Sequence, residues 1–98
     1  MTLKGDFSTR KVWLNGVELL PDESQKVYNH SPDGFSWGYG GSGPAQLALA
    51  VMLVFNEKRR ALEIYQDFKR KVIAVLPQTD FDVNIIDETW KILNKENI

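Results

Sequence analysis

Gly38, Gly40 and Gly43 keep the spacing G-x-G-x-x-G, Gly41 and Ser42 fall between the last two, and Pro44 comes directly after. A glycine-rich stretch that runs into a helix leaves backbone amides free at the positive end of the helix dipole, where they can hold a phosphate or a carboxylate. Around it stand side chains that would complete a small-ligand site. Trp37 and Tyr39 can stack on a flat ring, and His30 and Gln46 can donate or accept hydrogen bonds. The chemistry this set points to is recognition of a small anionic molecule, with a nucleotide or nucleotide signal as the natural ligand.

Two common forms of that chemistry are excluded. A dinucleotide fold needs a strand after the helix and an acidic ribose partner about 20 residues beyond the glycines, whereas here one helical pattern runs into another. A P-loop needs a Lys-Ser or Lys-Thr after its last glycine, and no lysine or arginine occurs between Lys26 and Lys58. Positive charge for a phosphate must come from elsewhere in the chain: Arg10 and Lys11, or Lys58, Arg59 and Arg60. The same glycines also have a purely structural reading, in which they allow positive φ and close approach while Phe35, Trp37 and Tyr39 pack on the next helix. Gln46 likewise either touches a ligand or satisfies loop carbonyls.

His30 is the only histidine and there is no cysteine. A catalytic role would require Ser31, Asp33, Ser36 or Ser42 to converge on it, and no nucleophile-elbow pattern is present. A zinc site would have only carboxylates to complete it. No catalytic residue, metal or cofactor is therefore assigned, and a turn histidine bonded to backbone is the simpler reading.

These groups must be positioned by a small set of elements. Asn15-Gly16 between Lys11-Val-Trp-Leu14 and Val17-Glu-Leu-Leu20 predicts a hairpin with a type I′ turn. Gln25 to Asn29 predicts a third short strand, and Phe35, Trp37 and Tyr39 would share one face of an extended stretch. Gly43-Pro44 predicts the start of a helix over 44–55 that is apolar all round, hence central. Ala61, Tyr65, Phe68, Val72 and Val75 form the buried stripe of a second helix from Lys58 to Leu76. Asn84 would cap a third, with Ile86, Trp90 and Leu93 inward. Strands succeeded by helices give an α+β domain: a small antiparallel sheet, the N-terminal hairpin plus one or two strands, packed by three C-terminal helices.

The chain has 98 residues, 43% hydrophobic and 26% charged, enough for a single domain over 1–98 with a flexible N-terminus at 1–10. A net charge of -1 argues against general nucleic-acid binding. The span from Glu57 to Lys71 carries six positive and three negative charges against two and five from Asp80 to Ile98, which is a solvated helix face or a patch for an acidic partner. The longest apolar run, Ala45 to Phe55, is eleven residues, short of the roughly 20 that span a membrane. The first residues form no apolar leader, so a cytoplasmic protein is expected.

The stretch from His30 to Ala50, HSPDGFSWGYGGSGPAQLALA, resembles the signature of a small uncharacterised domain family of bacteria, archaea and their phages and mobile elements. The run Ala61-Leu-Glu-Ile-Tyr-Gln-Asp-Phe-Lys69 and the segment around Trp90 extend the likeness over residues 25 to 93. The resemblance implies no activity, but it makes a role in phage–host or mobile-element conflict an expectation.

The function expected is thus a non-enzymatic small-ligand binder using His30, Trp37, Tyr39, Gly40, Gly41, Ser42, Gly43 and Gln46. The competing expectation is a protein-interaction module that modulates or inhibits a host protein, with a structural glycine loop. A hydrolase or nuclease using His30 and Asp33 ranks last. A homodimer is the default assembly, since the smallest domains bury only about 60% of their chain surface.

Overall fold

A computed structural model describes residues 1–85. Asn15 and Gly16 turn the chain as their types allow, at φ of 52° and 81°, and join β2 (Lys11–Leu14) to β3 (Val17–Leu19) with Leu14 opposite Val17. The expected hairpin is present. The N-terminus, expected to be flexible, instead contains β1 (Thr2–Asp6), which is paired along both edges. Leu3 lies opposite Leu14 on one side and opposite Val83 of β4 (Phe81–Asn84) on the other. The sheet is antiparallel throughout, in the order β3-β2-β1-β4.

Gly5 shows how so polar a segment can occupy the middle of a sheet. A Cβ at Gly5 would come within 2.4 Å of the Phe81 ring and 2.9 Å of the Trp37 ring. Rings from elsewhere thus fill the inner-face position that Gly5 leaves open. Leu3, Val12, Leu14 and Phe81 complete that face and join the core, while Lys4, Trp13 and Asp82 lie on the other side, where alternation places them.

The strand expected at Gln25–Asn29 is not formed; the chain makes the short helix α1 (Asp22–Val27). Asp22 and Glu23 favour its positive first turn, Lys26 its last, and the hydroxyl of Ser24 donates to the Pro21 carbonyl at 2.8 Å. The β-forming pair Val27-Tyr28 is where this helix ends, with Tyr28 extended. α2 (Ser42–Phe55) begins two residues earlier than Pro44, which falls inside the first turn, where a missing amide leaves no helical bond unmade. Every residue from Gly43 to Met52 is buried, as an all-round apolar helix requires.

α3 (Lys58–Phe68) buries Ala61, Ile64, Tyr65 and Phe68 against α2 and then passes into a π-helical turn, Lys69–Ile73, closed by the Ala74 amide donating to the Lys69 carbonyl at 2.8 Å. That turn takes in an extra residue and rotates the residues beyond it about the helix axis. Val75, expected in the buried stripe, is 71% exposed, and Ile73 and Leu76 are buried in its place. The third helix expected from the sequence, with Ile86, Trp90 and Leu93, lies outside the described residues, and Asn84 is the last residue of β4. The described residues thus form an α+β fold of a four-stranded antiparallel sheet and three helices. Among the described residues no helix is long and apolar enough to cross a membrane.

Candidate functional site

The segment between α1 and α2 has no regular structure, so its shape depends on where its polar groups are held. Gln46, fully buried on the first turns of α2, is its main anchor. Its side-chain carbonyl accepts the backbone amides of His30 at 2.7 Å and Ser31 at 3.0 Å. Its amide donates to the Ser24 hydroxyl at 2.9 Å and the Tyr28 carbonyl at 3.1 Å. These four bonds use both lone pairs and both N–H groups of the side-chain amide, which is committed to the loop. The polar residue on the apolar helix is thus the device that fixes the loop on it.

Farther along, Phe35 and Trp37 turn inward but Tyr39 does not. Gly38 has a φ of 86°, which breaks the alternation, and Tyr39 is left 46% exposed. Trp37 is wholly buried, its ring edge-on to Phe81 at 4.9 Å and to Phe7 at 5.8 Å, and its indole N–H donates to the Thr79 carbonyl at 2.9 Å. It cannot stack on a ligand, and the expectation that all three rings share one face is corrected. Gly43 permits contact with the loop: a Cβ there would lie 2.7 Å from Cβ of Ser36 and 3.0 Å from its backbone nitrogen. The Tyr39 ring lies over Gly41, whereas a Cβ on Gly40 would meet nothing within 4 Å.

A cleft of about 470 Å³ opens where this loop meets the start of α2. It is lined by His30, Ser31, Asp33 and Ser36 of the loop and by Tyr39, Ser42 and Gly43 at the start of the helix. Helix α2 carries no side-chain cap, and the amides of Ser42 and Gly43 donate to no atom among the described residues. Its N-terminus therefore brings partial positive charge to the cleft.

Arg10 brings a full positive charge to the cleft, and Asp33, also in its lining, a negative one. It sits at a φ of 62° in the turn between β1 and β2, with its amide bonded to the Asp6 carbonyl at 2.7 Å. The turn is tightened by the Asp6 carboxylate, which accepts from the Ser8 hydroxyl at 2.9 Å and is held below its ordinary pKa chiefly by that bond. The Arg10 guanidinium lies 3.6 Å from the centre of the Phe7 ring, donates to the Phe7 carbonyl, and reaches the Ser36 hydroxyl at 3.4 Å. Three of its five N–H groups make no bond among the described residues.

His30 lines the cleft, stacked on Tyr28 at 4.3 Å, with Nε2 and the Tyr65 hydroxyl 2.8 Å apart. Burial, and then the charge of Lys69, hold its pKa below 6.5. Its ring nitrogen is engaged with Tyr65 and with none of Ser31, Asp33, Ser36 or Ser42, although all line the same cleft.

The geometry therefore brings His30, Tyr39, Ser42 and Gly43 together, leaves Gly40 and Gly41 beside them in the turn, and withdraws Trp37 and Gln46 into the core. Of the cations named from the sequence, Arg10 lines the cleft, whereas Lys11, Lys58, Arg59 and Arg60 do not. Only the absence of cations near the glycines hinted at such a residue, and no spacing singled it out.

No curated protein and no solved structure matches the chain. A family model described as a family of unknown function, DUF6166, matches residues 3–95. That span takes in the cleft and, apart from Thr2, every strand and helix among the described residues, and the chain belongs to this family.

Proposed function

We propose that the protein binds a small phosphate- or carboxylate-bearing ligand, with a nucleotide as the leading candidate, in the cleft at the start of α2, and that it does so without transforming it. The observation that carries this reading is the meeting of the Arg10 guanidinium, with N–H groups to spare, and the uncapped N-terminus of α2 in one cleft. A charge-assisted bond from a guanidinium and bonds from helix amides are the two strongest general means of holding such a group. Tyr39 supports a flat ligand moiety, with one ring face on Gly41 and nearly half its surface in water. His30 adds a hydrogen-bonding rim and serves as neither acid nor base in this reading, because its ring is already committed to Tyr28 and Tyr65.

The test is a thermal-shift series at low salt with mono-, di- and cyclic nucleotides and inorganic phosphate, on the natural chain and on Arg10→Gln. A bound ligand at about 100 times its Kd adds about 2.7 kcal/mol, which in a chain of this size raises the melting temperature by several degrees. A rise that Arg10→Gln removes is the expected result. No rise with any member of the panel would overturn the proposal.

A further inference from the structure

A second depression lies on another face of the molecule. It is a groove of about 510 Å³ between β3 on one side and α1 and the C-terminal half of α2 on the other. Leu19, Leu20, Val27, Leu53 and Val54 make it apolar, and Leu20 and Val54 remain 59% and 55% exposed.

Three observations specify a partner for this groove. The first is backbone. β3 is the outermost strand of the sheet, and among the described residues its backbone bonds run only to β2 and none pairs with its outer edge, which adjoins the groove. A free edge next to an apolar groove suits an extended chain, whose main chain pairs with the edge while alternate side chains enter the groove. The second is length. Pro21 comes directly after Leu20, so only the three residues of β3 and Leu20 can take part. The third is charge. Among the described residues, the charged ones lining the groove are Glu18 and Glu23, and Glu23 is also 3.2 Å from Nζ of Lys26 at the exposed rim, so the groove is acidic chiefly through Glu18. A second copy pairing through β3 about a two-fold axis would bring two sets of these glutamates together, which like charge disfavours. A basic partner matches them.

We propose that this groove binds an extended peptide segment of another protein, one with a large apolar residue flanked by Lys or Arg, which adds a short strand to the edge of β3. This site is separate from the anion cleft, and the two proposals stand or fall apart.

The experiment is selection of a random peptide library displayed on phage against the full chain, and then titration of the synthesised winners. The expected outcome is an enriched pattern of one large apolar residue beside basic ones. Binding should weaken at least about tenfold on N-methylation of the peptide amides that face β3, and similarly in Val54→Asp and in the Glu18→Lys/Glu23→Lys pair. Arg10→Gln, which tests the cleft, should leave it unchanged. No enriched pattern, an acidic one, or indifference to N-methylation would each overturn the proposal. So would sedimentation showing a dimer that Val54→Asp dissolves, because a second copy would then be the occupant.

Discussion

The side-chain carbonyl of Gln46 lies 2.7 Å from the backbone amide of His30. Three further bonds from the same side chain, to Ser24, Tyr28 and Ser31, tie α1 and the loop after it to α2. Gln46→Leu keeps the volume roughly constant but leaves these groups unpaired beside a fully buried position. The expected loss of stability is about 3 kcal/mol, measured by urea denaturation. A change below about 1 kcal/mol would show that water replaces the amide without difficulty.

The glycines separate into structural and free positions. Gly43→Ala places a methyl 2.7 Å from Ser36 Cβ and should cost about 1–3 kcal/mol. Gly40→Ala meets nothing within 4 Å and should fall within about 0.5 kcal/mol of the natural chain. Thermal melts of the two variants side by side check the contrast.

The two aromatic residues of the loop should respond oppositely. Trp37→Ala empties a wholly buried position between Phe7 and Phe81 and should cost about 4 kcal/mol. Tyr39→Ala should change stability by less than about 1 kcal/mol and weaken nucleotide binding. Paired denaturation and ligand titrations distinguish them, and loss of binding without loss of folding is expected only at Tyr39.

Stability should depend on His30 protonation in one direction. Its pKa is held below the unfolded value of 6.5, by burial first and Lys69 second, so the folded state binds the proton less readily than the unfolded chain. The contribution is fully present above 6.5 and is lost as pH falls through the lower folded value. Melting temperatures of the natural chain should drop across that window, and His30→Gln should flatten that part of the profile.

The hairpin is legible in the sequence because Asn15-Gly16 carries its turn geometry in its residue types, and α2 because an all-round apolar run has only one place to go. β1 is not legible, since its inner-face position at Gly5 is filled by Phe81 and Trp37, rings from distant parts of the chain. At α1 the β-forming Val27 and Tyr28 mislead, although Pro21, Asp22 and Glu23 mark a helix start. Within the cleft, His30, Tyr39, Ser42 and Gly43 can be named from the loop itself. Arg10 can only be offered among alternatives, because a turn between β1 and β2 carries it there. The burial of Trp37 beside an exposed Tyr39 rests on the positive φ of Gly38, which a glycine permits and does not announce.

The pairing of Leu3 with Val83 also sets an order of events during synthesis. A chain leaving the ribosome N-terminus first can close the β2–β3 hairpin early, and α2 can pack on α3 soon after. β1, however, must wait with one edge open until the strand at 81–84 has emerged. Joining segments so far apart is the slow step of such a topology, and until it is taken the half-made sheet exposes a strand edge to its neighbours. Dilution, or a holding chaperone during that interval, should therefore decide the yield of native protein more than the strength of the finished core.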